Sequence, residues 1–220
     1  MSTTAEYASL YRVSVLATGF TRMWRAWRVL LPVVIVNALV QGILLLSGVL
    51  PYFTIVFVLT ALLSFVILVA SFGLIAAAML QAVEGPVSVG AAVHTLRDRT
   101  WPLLAWSLGL VLVAIAGFAL YVVPGFIVLA LTPYLLLAVI DGQRNPIAVN
   151  FRTIGARWGR WLITVVIMGV ICFIMWFLSA LDGFFVTGAP GAIIAWIVLG
   201  LVSAWFTCAW ALVYRSVNPR

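Results

Sequence analysis

Few side chains in this chain could do acid–base, covalent or metal chemistry. Its 220 residues include one histidine, His94, two cysteines, Cys172 and Cys208, and five acids, Glu6, Glu84, Asp98, Asp141 and Asp182. His94 and Asp98 stand four apart, the spacing of a surface pair on a helix, with no nucleophile or second acid beside them. The cysteines fall singly inside long apolar runs, which suits packing residues better than a disulfide or a metal motif. No lysine-bearing phosphate loop, nucleophile elbow or clustered His/Cys set occurs. These residues predict a non-enzyme with no metal site and no cofactor.

The arginines are the other chemical resource. All twelve basic residues are arginine, and the net charge is +7. In a soluble chain that excess would suggest nucleic acid. Here hydrophobic residues make up 66% and charged residues 8%, far from the rough half and quarter of soluble domains. The arginines flank long apolar runs, so the expected partners are membrane lipids, through their anionic headgroups, and not nucleic acid. Arg22, Arg25, Arg28, Arg152, Arg157 and Arg160 are the candidate headgroup-binding residues. Orientation in the membrane would by itself require arginines in these places.

Six apolar runs must position these groups. A membrane-crossing helix needs about 20 apolar residues, and the sequence predicts an all-α integral membrane protein, a single domain of six such helices. They form three hairpins, each preceded by a basic amphipathic helix on the cytoplasmic side. The expected order is an amphipathic helix at 7–28 and a hairpin at 29–81, a second helix at 86–99 and hairpin at 101–140, then a third at 146–160 and 161–214. The first apolar run begins at Val29 without a small-residue cleavage site, so it reads as a span and not as a signal peptide.

Within the first helix, Val13, Leu16, Phe20, Met23, Trp24 and Trp27 form an apolar stripe opposite Arg22, Arg25 and Arg28. In the third, Ile147, Phe151, Ile154 and Trp158 oppose Arg152, Arg157 and Arg160. Asn145-Pro146 before it is an N-cap followed by a proline at the first helical position. Asn37 and Gln41 share one face of the first span; such carboxamides act as interhelical glue or line a polar path. Gly73/Ala77, Ala105/Gly109 and Gly200/Ala204 are spaced for close helix approach. Pro124-Gly125 marks an outer turn, and Pro133 interrupts the short fourth span.

With six spans, every arginine group lies on one side, which the positive-inside rule assigns to the cytoplasm together with both termini. The predicted location is a bacterial plasma (inner) membrane, crossed several times. Val83-Glu84-Gly85 aligns with Ile140-Asp141-Gly142 at an offset of 57, and Trp101 then falls on Trp158. The three units therefore read as internal repeats.

Pro124, Gly125, Pro133, Gly142, Ala148, Gly155, Arg157 and Trp158, within about 83–180, carry a resemblance. The chain resembles the six-span bacterial membrane-domain family related to the membrane domain of glycerophosphodiester phosphodiesterases. That family's usual serine in the amphipathic helix is replaced here, at Asn150. No phosphodiesterase domain is present in the sequence, so the resemblance implies a membrane fold and not that activity.

No ionisable residue is expected in mid-membrane, which disfavours proton- or ion-coupled transport. The expected function is a non-enzymatic accessory or scaffold subunit of a larger membrane complex, one for lipid or envelope-component transport, with other membrane subunits as partners. The alternative is a stand-alone lipid-binding protein, or a pore or carrier lined by Asn37, Gln41 and the Pro133 kink.

Overall fold

The computed structural model describes residues 14–46, 54–185 and 189–219. Among them every regular element is helical. We number the helices α1 (Ser14–Met23), α2 (Trp27–Leu46), α3 (Ile55–Glu84), α4 (Val89–Leu120), α5 (Val122–Leu131), α6 (Leu135–Ile140), α7 (Pro146–Ala156), α8 (Trp158–Phe185) and α9 (Ala189–Arg215), with a 3-10 turn at Trp24–Ala26. Six stretches are long and apolar enough to cross a membrane: α1–α2, α3, α4, α5–α6, α8 and α9.

The starts of these helices follow from local chemistry. The Thr54 side chain accepts from the Phe57 N–H, Ser88 from Ala91 and Asn145 from Ala148, each satisfying a donor that a helix start leaves unpaired. Asn145-Pro146 thus caps α7 as its sequence predicts. Gly142, after α6, has φ +80°, a conformation that only glycine adopts without strain.

Several boundaries differ from the sequence expectation. The 86–99 segment is not a separate helix: α4 runs unbroken from Val89 through Pro102 to Leu120. Nothing there stops the helix, because the apolar run begins within one turn of Arg99. Within the hairpin expected at 161–214, α8 continues to Phe185 and α9 starts at Ala189. Val13 of the first stripe lies outside the described residues.

The C-terminal helix is the centre of the packing. α9 lies against α1, α2, α3 and α8, and α3 also meets α1, α2, α4 and α6. Its small residues allow this. Gly19 of α1 faces the Ala209 backbone, where an added Cβ would come within 3.0 Å, and Gly200 faces Val34 of α2 in the same way. Ala204, Cys208, Ala209 and Ala211 are fully buried. The Trp205 indole donates to the Leu16 carbonyl at 2.8 Å. Gly73 faces Leu96 and Leu103 of α4, its expected close-packing role. Gly109 does not share it: nothing lies within 4 Å of its would-be Cβ, and Ala105 is likewise exposed.

From α1 to the start of α2 the exposed residues Phe20, Trp24 and Trp27 keep the expected outward stripe, whereas Leu16 and Met23 turn inward with Val15 and Gly19. The helix is apolar on two faces, and α9 takes one of them.

Forcing a leucine at Gly19 should therefore destabilise the fold by about 1–3 kcal/mol, the usual cost of overpacking. Gly109→Ala should be neutral or slightly stabilising. Thermal unfolding in detergent checks the pair; equal effects would contradict the α1–α9 contact.

Candidate functional site

Two polar constructions occupy the arginine-rich end. The first is an ionic knot around Arg215, the last residue of α9, whose side chain is 3% exposed. Its Nη2 donates to Asp141 Oδ1 at 2.6 Å and its Nη1 to Asp141 Oδ2 at 2.9 Å, a two-pronged pair with a carboxylate only 4% exposed. Its Nε lies 2.6 Å from Glu84 Oε1, off the line of a hydrogen bond. Tyr214 Oη and Gln143 Nε2 also donate to Asp141 Oδ2, at 2.9 and 3.0 Å. Glu84 ends α3, Asp141 follows α6 and Arg215 ends α9, so the charged ends of three helices meet.

Burial alone would raise the Asp141 pKa. The Arg215 hydrogen bonds and charge, with those of Gln143 and Tyr214, outweigh burial and hold it below the ordinary carboxylate value. A carboxyl depressed in this way contributes stability above its unfolded pKa, and that contribution is lost only as pH falls through the lower folded value.

Asn218 extends the knot outward. Its Nδ2 donates to Thr153 Oγ1 at 3.0 Å and to the Tyr214 carbonyl at 3.1 Å, and its Oδ1 accepts from Arg152 Nη2. This joins α7 to the chain beyond α9.

The second construction is the broken helix α5–α6. Pro133 has no N–H and its ring disrupts the preceding turn, freeing backbone groups at a depth where water is scarce. Each finds a partner. The Leu129 carbonyl accepts from Thr132 N–H at 3.3 Å, the Ala130 carbonyl from the Trp161 indole at 2.8 Å, and the Leu131 carbonyl from Asn150 Nδ2 at 2.7 Å. The Tyr134 N–H donates to Asn150 Oδ1 at 3.0 Å. One buried amide on α7 therefore bridges both sides of the break, donating to the Leu131 carbonyl and accepting from the Tyr134 N–H.

The sequence-predicted residues fall into distinct settings. Arg22 donates to the Val83 carbonyl at 2.7 Å, sealing the end of α3, and Arg152 is held by Asn218. Arg25 and Arg28 are exposed, Arg28 lying over the Trp27 ring. Arg157 and Arg160 are half-buried at the start of α8. Gln41 exchanges hydrogen bonds with Ser64, its Oε1 accepting from Oγ at 2.8 Å, which is the glue role; Asn37 is buried with Oδ1 unpartnered. Pro133 is the break. Pro124 and Gly125 do not make the turn: the chain reverses at Tyr121, and they lie in the first turn of α5. There Gly125 backs onto Gly117 and Phe118, so it serves close approach of α4 and α5. His94 and Asp98 form the expected exposed pair at 3.0 Å.

Sequence reasoning missed Arg215, Asn218, Tyr134 and Trp161, and gave Asn150 no structural role. The available signals were a proline inside a span, which demands outside donors and acceptors, and one charged residue at the end of each of three apolar runs. No cluster of three His, Cys, Asp or Glu residues suited to a metal occurs among the described residues. Set against family models, curated proteins and solved structures, the chain matches none of them.

Asn150→Leu strands the Tyr134 N–H and the Leu131 carbonyl, and should cost about 1–3 kcal/mol for each group. Asn150→Gln should recover part of that loss, as read by unfolding in detergent. Separately, the contribution of Asp141 should hold level from neutral pH to about 4 and decline only below the ordinary carboxylate range. A decline beginning near pH 6 would contradict the pairing.

Proposed function

We propose that this chain is a non-enzymatic membrane subunit, an accessory or scaffold component of a larger bacterial inner-membrane complex. Transport of lipid or an envelope component is the setting we assign to that complex. The observation that carries this reading is how the chain disposes its polar and apolar surface. Inside, polar groups engage one another at three places: Arg215 with Asp141 and Glu84, Asn150 with the broken helix, and Gln41 with Ser64. Val34 and Ala38 of α2, Ala76 and Ala78 of α3, and Ala204 and Cys208 of α9 are buried, and these three helices pack on one another.

Outside, long apolar flanks remain uncovered. Ile55, Leu59, Leu62 and Val66 of α3 are exposed, as are Val166, Val170, Phe173 and Ile174 of α8. Among the described residues α8 packs along α9, meets α7 at their junction and reaches the α5–α6 break through Trp161. Lipid or a neighbouring subunit can cover such flanks; neither needs catalytic residues. The resemblance to the membrane domain of glycerophosphodiester phosphodiesterases supports an attached, non-catalytic membrane role. We place the arginine-rich end and both termini in the cytoplasm by the positive-inside rule, with the three basic segments as headgroup collars.

The test is affinity purification of the tagged chain from its native membrane in mild detergent, followed by mass spectrometry. A transporter or synthase recovered at fixed stoichiometry is the expected result. Recovery of this chain alone, with lipid, would overturn the scaffold reading and favour a stand-alone lipid-binding protein. A fluorescent-protein fusion at the C-terminus should fluoresce, whereas alkaline phosphatase fused there should be inactive; the opposite pattern would reverse the orientation.

A further inference from the structure

α3 and α4 meet closely at Gly73, where an added Cβ would come within 2.6 Å of both Leu96 and Leu103. Beside that contact the two helices leave a groove of about 60 Å³. Its floor is Val69 and Leu103, both buried; Ala70 contributes only a methyl group, and Val66, Leu104 and Thr100 stand around it. The groove reaches the surface at Val66, which is 45% exposed. The Thr100 hydroxyl donates to the Leu96 carbonyl at 2.8 Å, so the lining offers hydrocarbon and no free hydrogen-bond donor. Arg97, Thr100 and Leu104 stand at i, i+3 and i+7, on one stripe of α4, so Arg97 lies about one turn from the groove toward the arginine-rich end. Arg97 is exposed and has no ion-pair or hydrogen-bond partner among the described residues. Asp98 beside it is engaged by His94, and Arg99 lies against Gly142 at the end of α6. Trp101, 81% exposed, follows Arg97 by one turn, as an aromatic residue at the boundary of headgroups and chains does.

We propose that this groove holds one acyl chain of an anionic phospholipid from the leaflet at the arginine-rich end, with Arg97 at the headgroup phosphate. A groove of this size is too small for a partner helix, which is about 10 Å across with its side chains, but it admits a single hydrocarbon chain. The apolar lining excludes a polar solute, because nothing in it would replace the water such a solute gives up. Lipid chains already lie in hydrocarbon, so burial alone gives little preference among lipids. The preference comes from Arg97, since arginine matches a phosphate with paired donors. The groove binds lipid whether or not the chain has a protein partner, so the outcome of the purification above does not decide it.

The test uses the purified full-length protein, stripped of lipid in detergent and titrated with long- or short-chain phosphatidylglycerol, phosphatidylcholine or glycerol phosphate. Native mass spectrometry counts bound lipid, and the melting temperature of the lipid-free protein reports folding. The wild type should take up one long-chain phosphatidylglycerol per chain, about fivefold more tightly than phosphatidylcholine, the worth of one arginine near an anionic headgroup. Ala70→Leu fills the groove and should weaken uptake of both lipids about tenfold, because a chain entering it must displace a packed side chain. Its lipid-free melting temperature should stay level or rise. If it falls instead, Val66→Phe at the exposed rim replaces it, with the same loss of lipid expected. Arg97→Gln should keep the chain but lose the preference for phosphatidylglycerol, and Arg25→Gln should bind as wild type does. Equal uptake by the wild type and the groove variant would overturn the site, as would an unchanged preference in Arg97→Gln. Short-chain lipid or glycerol phosphate binding as tightly as long-chain lipid would also overturn it, since the acyl chain would then play no part.

Discussion

A guanidinium with 3% of its surface exposed dictates the arrangement of this fold. A charge so buried is tolerable only when paired, because the effective desolvation penalty is several kcal/mol per ion. Arg215 is paired by Asp141 directly and by Glu84 along its other edge. Those acids stand at the ends of two different helical segments, so satisfying one arginine brings the ends of α3, α6 and α9 to one point. Tyr214 and Gln143 complete the carboxylate, and Asn218 carries the network to α7. The small residues of α9 then let it approach α1, α2 and α3 closely enough for the charges to meet.

A second constraint operates at the break in α5–α6. Backbone groups freed by a proline in apolar surroundings must be satisfied from elsewhere. Asn150 and Trp161 supply those partners, and in doing so they locate α7 and the start of α8. The knot and the break are thus two anchors for one short helix. Their proximity explains why the most basic segment of the chain is well fixed: Arg152 and Arg157 sit on a scaffold set by amides and an indole rather than by their own charge.

Much of this was legible in the sequence. The apolar runs are long and nearly free of charge, so the six spanning stretches followed from length alone. Asn145-Pro146 announced a helix start, whereas nothing in the sequence indicated that Glu84 and Asp141 share Arg215. Other features were hidden for physical reasons. Whether a basic amphipathic segment is a separate helix depends on a stop signal, and 86–99 has none before Trp101. A stripe such as Ala105/Gly109 states that close approach is possible but not that a partner exists on that side. Tertiary partners of Asn150, Asn218 and Trp161 come from positions 16 to 66 residues away, and periodicity carries no information over such distances.

The account rests on coupling between Asp141 and Arg215, which a double-mutant cycle measures directly. Asp141→Asn, Arg215→Met and the double variant would be unfolded reversibly in mixed detergent at neutral pH. Removing one partner should cost about 3–5 kcal/mol, because it leaves the other charge buried and uncompensated. The double variant should cost less than the sum of the singles by at least ~1 kcal/mol, the signature of direct interaction. Additive costs, or single losses near zero, would contradict the claim that this pair draws the helix ends together.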